Sequence, residues 1–256
     1  MSQSLNVEGI GNVKITFTER GEGRPVLLLH GGAGPLSVVP WAEAFARTRP
    51  ARVITPTHPG FMGTPRPEAL ADVGGLARVY EALVRQLAPT GATVIGNSIG
   101  GWIAAELALR APNLVDKLVL VDAVGIELPG HPVADPFALS LEALMNLSYH
   151  DPVRFRIDPS KLTPQQQAAF GANRAALETY AGGPMDAGLR ARLAALTRPT
   201  LVVWGEADRV ADVDYGRAFA AAIPGARFQL LAGTGHVPQI ETPELLAETI
   251  WPFISG

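Results

Sequence analysis

Residues 92–112 read ATVIGNSIGGWIAAELALRAP: a short apolar run, a glycine-rich turn around Ser98, then a helical pattern. The run has the length and character of a strand buried on both faces, and the spacing that follows predicts a helix over residues 101–110. Between them Gly96-Asn97-Ser98-Ile99-Gly100 is a G-x-S-x-G turn. A serine in that place sits on a tight strand-to-helix bend with its hydroxyl lifted above the sheet edge. Gly96 and Gly100 remove the side chains that would stop the backbone bending and the strand and helix closing on each other. The helix then aims its first amides at whatever reacts with Ser98, where negative charge is stabilised. The alternative is a glycine-rich β-to-α connection with no chemistry. The chain has 27 glycines, but its eight serines give only about 0.1 such patterns by chance.

Outward from this turn, strands and helices alternate. Val13, Ile15 and Phe17 alternate with Lys14 and Thr16, and Gly21 and Gly23 follow as a turn, the pattern of an antiparallel pair at a sheet edge. Strands are predicted in PVLLLHGG (25–32), ARVITPTHPG (51–60), DKLVLVDAVG (116–125), PTLVVWGEAD (199–208) and ARFQLLAGTGH (226–236). Helices are predicted in WAEAFARTRP (41–50), GLARVYEALVRQLAP (75–89) and ELLAETIWPFI (244–254). This rhythm means an α/β class with a parallel, doubly wound sheet. It breaks between residues 126 and 190, where helical patterns such as DPFALSLEALMNLSYHDP and TPQQQAAFGANRAALETYAGG carry no strand. An insertion there, at the carboxyl edge of a parallel sheet, would cover the place where ligands bind such sheets. The expected organisation is a core of residues 1–125 and 191–256 with residues 126–190 as a small helical cap.

Composition narrows the function. No cysteine is present, which excludes disulfides, thiolate metal sites and a cysteine nucleophile. The net charge is −3 with no basic block, so nucleic acid is not an expected partner. The first residues lack the basic-then-apolar pattern of a secretory signal, and no apolar run is long enough to span a bilayer. The expectation is a cytoplasmic, globular protein acting on a small molecule, with no membrane association and its oligomeric state open.

A serine hydroxyl needs a base to take its proton. Of the five histidines, His236 follows the last predicted strand and lies on the same sheet edge as Ser98. Asp208, at the end of the preceding strand, completes the order Ser, Asp, His and would hold the imidazole in its working tautomer. Asp122, ending the strand after Ser98, is the rival acid, and Asp212 and Asp214 lie just downstream of Asp208. The small residues of HGGAGP leave backbone amides free to face a cavity. Ile99 supplies one amide and Gly32 or Ala33 a second for an oxyanion. His30 reads as a hydrogen-bonded lock for that loop. Such a base works only once deprotonated, so activity is expected to rise with pH. No metal-ligating motif and no dinucleotide-binding glycine pattern is visible, so no metal and no cofactor are expected.

Strand-HGGAGP, HPGFMG, GNSIGG, WGEADRV and GTGHVPQIETPE, taken together, resemble the α/β-hydrolase superfamily, and within it the compact capped members that include carboxylesterases, lactonases and carbon–carbon bond hydrolases. The resemblance spans nearly the whole chain. It implies a mostly parallel eight-stranded sheet with a helical cap, Ser98 as nucleophile, His236 as base, Asp208 as acid, and Gly32 and Ile99 at the oxyanion-hole positions. Relatives that split ring-cleavage products usually carry an aromatic residue after the histidine, where this chain has Val237. Epoxide hydrolases and haloalkane dehalogenases use aspartate where this chain has Ser98.

The reading is therefore a serine hydrolase of a carboxylic ester or lactone, acting through an acyl-enzyme. The alternatives are a carbon–carbon bond hydrolase, a non-hydrolytic member (ligand receptor, cofactor-free oxygenase or lyase) and a partner-binding domain. Phe137, Leu139, Leu141, Leu144, Met145, Leu147, Tyr149, Phe155 and Tyr180 suggest an apolar roof for a small to medium substrate, although each also suits the buried face of a helix. Phe61, Met62 and Val237 are expected to line the pocket's other sides. Arg154, Arg156 and Arg174 read as solvated surface, with an inward arginine gripping a substrate carboxylate as the alternative.

Overall fold

A computed structural model describes residues 1–155 and 157–256. Arg156 lies outside the described residues. The chain opens with β1 (Ser2–Val7) and β2 (Gly11–Arg20), an antiparallel hairpin. The hairpin turn falls at residues 8–10, with Gly9 and Gly11 at φ 74° and 91°. Gly21 and Gly23 instead bend the chain from β2 into the next strand.

That strand, β3 (Arg24–Leu29), begins the alternating part: α1 (Val39–Thr48), β4 (Ala51–Thr57), α2 (Val73–Leu87), β5 (Ala92–Asn97), α3 (Ile99–Arg110) and β6 (Val115–Val121). After a long excursion come β7 (Thr200–Gly205), α7 (Val213–Ala221), β8 (Arg227–Leu231), a short α8 (Pro238–Glu241) and α9 (Pro243–Ser255). The excursion carries α4 (Leu141–Ser148), α5 (Pro164–Ala181) and α6 (Leu189–Arg192). Among the described residues eight strands form one sheet, ordered β1-β2-β4-β3-β5-β6-β7-β8. β2 pairs antiparallel with β4, and every pairing from β4 to β8 is parallel.

Strand alternation divides the core into two layers. Val26, Leu28, Ile95, Val119, Val121, Leu201 and Val203 face α1 and α9, where Trp41, Phe45, Ile250 and Phe253 meet them. Leu27, Leu29, Val94, Leu118, Leu120, Val202 and Trp204 face α2, α3 and α7. With both faces covered, β5 is buried at every position. The doubly wound architecture expected from the alternation is the one observed.

Parallel strands bring β3 through β8 out at one edge, and the helices between β6 and β7 lie across it. Tyr180 on α5 donates to Pro59 O after β4 at 2.8 Å, and the end of α4 accepts from His236 N through Ser148 O at 2.7 Å. A parallel bridge between Ile126 and Asp186 ties the two ends of the excursion together.

The turn around Ser98 is tighter than the periodicity suggests. α3 begins at Ile99, directly after Ser98, two residues earlier than the spacing predicts. A side chain on Gly96 would meet the Gly100 carbonyl closer than 3.0 Å, and one on Gly100 would meet the Leu29 carbonyl equally closely. Both obstacles are backbone and cannot swing aside. Gly96→Ala and Gly100→Ala should each lower stability by at least about 2 kcal/mol, read as a shift in denaturant midpoint. An unshifted midpoint in either variant would contradict this packing.

Candidate active site

Ser98 has φ 56° and ψ −123°, a backbone conformation costly for a residue with a side chain. Surrounding hydrogen bonds hold it there. Ser98 N donates to Val121 O at 3.0 Å, while Ser98 O accepts from Gly101 N at 2.9 Å, and from Trp102 N and Val124 N at 3.3 Å. The strain turns the hydroxyl out of the sheet edge, where Ser98 is half-buried. Among the described residues three non-glycine residues have positive φ, namely Met62, Ser98 and Asp122. They lie just past the ends of β4, β5 and β6, so the strained backbone is gathered at one edge.

Ser98 Oγ lies 2.9 Å from His236 Nε2, and His236 Nδ1 lies 2.7 Å from Asp208 Oδ2. The carboxylate can only accept, so Nδ1 carries the proton and Nε2 is left to accept from the serine hydroxyl. Asp208 and His236 are both buried. Asp208 Oδ1 also accepts from Val210 N at 2.8 Å and Ala211 N at 3.1 Å, which fixes the carboxylate on its loop. Asn97 braces the serine strand against the histidine loop, its amide donating to His236 O at 3.0 Å and Val121 O at 3.2 Å. Gln239 in turn donates to Asn97 Oδ1 at 3.1 Å.

The rival acids are occupied differently. Asp212 caps α7 through Tyr215 N at 2.8 Å and pairs with His131. Asp214 is exposed in the first turn of α7. Asp122 is fully buried beside Asp208, and its Oδ1 accepts from Gly205 N at 2.8 Å. Ligand atoms of Asp122, Asp208 and His236 all lie within 4.8 Å of one another, but both imidazole nitrogens are engaged, one by Asp208 and one by Ser98.

The loop after β3 abuts the serine. A Cβ on Gly31 would sit 3.1 Å from Ser98 Cβ, and one on Gly32 would meet the Leu177 side chain of α5 at 2.7 Å. Among the described residues no protein acceptor engages the backbone N–H of Gly32, Ala33 or Ile99, and Ile99 is the first residue of α3. Beneath the loop, the His30 and His58 rings lie 3.7 Å apart between centroids, tilted 31° to one another. His58 Nε2 donates to His30 O at 2.9 Å, His30 Nε2 accepts from His58 N at 3.1 Å, and His58 Nδ1 accepts from the Tyr80 hydroxyl. His30 thus sits where a loop lock would.

The helices between β6 and β7 close the site through contacts that periodicity does not announce. Asn173 on α5 accepts from Met62 N at 2.8 Å and donates to Ala33 O at 3.2 Å, joining two loops. Glu241 accepts from Gly235 N at 2.6 Å, from His150 N at 3.1 Å and from Asp151 N at 2.9 Å, clipping the histidine loop to the segment after α4. The only sequence signal for Asn173 is a poor helix former in mid-helix.

Val237, Met145 and Tyr149 form one buried cluster, with Phe155 packed against it and stacked on Tyr149 at 5.1 Å. Leu144 and Phe137 are half-buried. Met62 is 37% exposed at the rim. Phe61 departs from expectation: it has no exposed surface and packs edge-on against His30 and His58 at 4.8 and 5.5 Å, in the core beneath the loop rather than along a pocket. Arg174 is exposed and spends its guanidinium on Pro136 O and Phe137 O at 2.9 and 2.8 Å. Arg154 is exposed over the Phe155 ring.

This assembly sits inside a match to the family model described as alpha/beta hydrolase family, over residues 26–249. The chain belongs to the alpha/beta hydrolase family. It is 31% identical over 260 residues to the 2-hydroxymuconate semialdehyde hydrolase of Pseudomonas putida, covering 93% of this chain and 89% of that one. It is 27% identical over 282 residues to the 2-hydroxy-6-oxo-6-phenylhexa-2,4-dienoate hydrolase of Burkholderia cepacia, covering 99% and 95%. The solved structure of an N-acyl homoserine lactone degrading enzyme superposes with TM-score 0.75 at 25% identity, covering 98% of this chain and 100% of that one. The hydrolase has no helix, among the described residues, long and apolar enough to cross a membrane.

The histidine pair gives this hydrolase an acid limit. Burial pushes His58 down from 6.5 to about 4 and His30 well below its usual value, the His58 charge adding to the latter. The unfolded chain takes up protons below about 6.5 that the folded rings refuse. Stability is therefore present above about pH 6.5 and lost as pH falls toward 4, by roughly 3 kcal/mol from His58 alone. Denaturant midpoints should fall over this window, and a midpoint flat from about pH 7 to pH 4 would contradict the buried neutral pair.

Proposed function

We propose that this hydrolase cleaves a carboxylic ester or lactone of a small, largely apolar substrate through an acyl-enzyme on Ser98. The observation that carries the proposal is the continuous hydrogen-bonded line Ser98 Oγ, His236 Nε2, His236 Nδ1, Asp208 Oδ2 at 2.9 and 2.7 Å, opening beside unengaged amides.

His236 takes the proton as Ser98 Oγ attacks the carbonyl, and Asp208 stabilises the imidazolium without itself becoming protonated. The oxygen that becomes negative is received by the N–H of Ile99 and of Gly32 or Ala33. These donors stand in place before the reaction and need no reorganisation as charge develops. His236 passes the proton to the departing alcohol oxygen, which in a lactone stays tethered to the acyl group. It then draws a proton from water, whose attack on the acyl carbonyl frees Ser98. Residues 126–190 act as the cap. Leu177 over Gly32, and Met145 and Tyr149 over Val237 beside His236, supply apolar walls near the reacting atoms.

A second reading has its own support: the curated relatives named above are hydrolases of dienoates and a muconate semialdehyde, which break a carbon–carbon bond. Such substrates carry a carboxylate, which calls for an inward-facing cation. Of the candidate arginines among the described residues, Arg174 is committed to main-chain carbonyls and Arg154 is exposed, and Val237 stands where an aromatic residue is usual in that group. These features favour a neutral substrate.

A fluorophosphonate probe should label native protein at Ser98 and leave Ser98→Ala unlabelled, with turnover in the variant down by roughly a millionfold. Across a panel of neutral esters, lactones and a 2-hydroxy-6-oxodienoate, kcat/KM should be highest for a neutral ester or lactone. Preference for the dienoate would replace the ester reading with the second one. Unlabelled native protein with undiminished Ser98→Ala would remove both.

A further inference from the structure

Of the two carboxyl groups buried among the described residues, the mechanism uses Asp208 and leaves Asp122. Asp122 is fully buried and adopts φ 45° at the end of β6. Its backbone is tied to the next strand, Asp122 N donating to Val203 O at 2.9 Å. Its side chain faces the Asp208 carboxyl, with an oxygen of each within 4.8 Å of the other, and both are buried. Two buried carboxylates this close repel one another, which favours one of the two as a neutral acid.

The surrounding donors decide which. Asp208 receives three: the amides of Val210 and Ala211, at 2.8 and 3.1 Å, and the His236 Nδ1 proton at 2.7 Å. Asp122 receives one, Gly205 N on Oδ1 at 2.8 Å, and among the described residues no group donates to its Oδ2. An ionised Asp122 would leave that oxygen buried, charged and unpartnered, facing a second negative charge. A protonated Asp122 turns the same oxygen into a donor. Two titratable groups face it, Asp208 from the loop after β7 and His236 from the loop after β8; the β5 side offers the neutral Asn97, which bonds Val121 O next door.

We propose that Asp122 is a neutral carboxylic acid whose O–H donates to Asp208, making it a positioning residue for the Asp208–His236 pair. It touches neither Ser98 nor substrate. Its hydrogen bond fixes the face of Asp208 that the loop amides leave open and draws off part of the carboxylate charge that His236 senses. Burial first, then the Asp208 charge, hold the Asp122 carboxyl well above the usual carboxylate range, against the pull of the Gly205 amide. The role in turnover rests on the ester-hydrolase reading; the protonation state does not.

The test uses the intact protein with Asp122→Asn and Asp122→Ala. Infrared spectra of native protein at neutral pH should contain a carboxylic-acid C=O stretch that is missing from Asp122→Asn. Asparagine keeps the geometry, its oxygen accepting from Gly205 and its amide donating to Asp208. It should therefore retain kcat within about threefold and an unmoved pH profile. Alanine removes the donor, so kcat should fall about tenfold to a hundredfold, as when a hydrogen-bond partner behind a functional ligand is lost. With more charge left on Asp208, the acidic limb of the kcat/KM profile should move to higher pH. The fold also holds a proton on Asp122 that the unfolded chain releases once pH exceeds the carboxylate range, so this group's own contribution to native stability declines there, opposite in sign to that of the His30–His58 pair. Asp122→Asn should gain on native protein as pH rises from about 4 to 8. Should the alanine variant fail to fold, the infrared band and the asparagine variant still decide. A native spectrum without the band overturns the proposal whatever the activity, and so does an alanine variant with native rate and profile. A band present in a protein that turns over no ester leaves this inference standing and sinks the ester reading alone.

Discussion

Everything at the working edge depends on one crowded crossing, where the carbonyl of Gly100 lies against Gly96 and the carbonyl of Leu29 lies against Gly100. Only because both positions lack a side chain can β5 turn into α3 within a single residue. That residue is Ser98, and its positive φ follows from the sharpness of the turn. The strain is local, but its support is distributed: Val121 from β6, Val124 beyond it, and Gly101 and Trp102 in α3 all bond to the serine's backbone. A serine held this way has its hydroxyl orientation set by the fold before any substrate arrives, which is the preorganisation that nucleophilic catalysis needs.

The parallel sheet does the rest of the gathering. Because β3, β5, β6, β7 and β8 run the same way, their last residues emerge together, and loops far apart in sequence deliver His30, Ser98, Asp122, Asp208 and His236 to one layer. Within that layer, charge is rationed by burial. The His30 and His58 rings are held neutral with fixed tautomers. Asp208 is well supplied with donors while Asp122 is starved of them. One fixed charge therefore stands behind the imidazole, where a second would compete with it.

The legibility of this chain in sequence follows the range of the interactions. The turn at Ser98 was readable because its constraint is local: glycine at two offsets, a strand before and a helix after. The shared edge of Asp208 and His236 is legible because topology, not contact, places them there; alternating strands and helices imply it. The sheet's hairpin was legible as a pair, but its turn was assigned to Gly21 and Gly23, since glycine marks both a hairpin and a simple bend. The covering helices were legible only as helices. Asn173 reaches Ala33 and Met62 from 140 and 111 residues along the chain, and Glu241 reaches His150 and Asp151. Nothing in helical periodicity encodes such a partner. Phe61 shows the converse, a large aromatic beside a site-forming loop that the structure spends on core packing against two histidines.

The proposed ester or lactone hydrolysis turns on one covalent bond, between the substrate's acyl carbon and Ser98 Oγ. Rapid quenching of the protein in acid during turnover of an activated ester, followed by peptide mass analysis, tests it directly. One acyl group per chain is expected on the peptide containing Ser98, appearing before the steady state and disappearing when substrate is exhausted. Sustained turnover with Ser98 unmodified at every time point would contradict it.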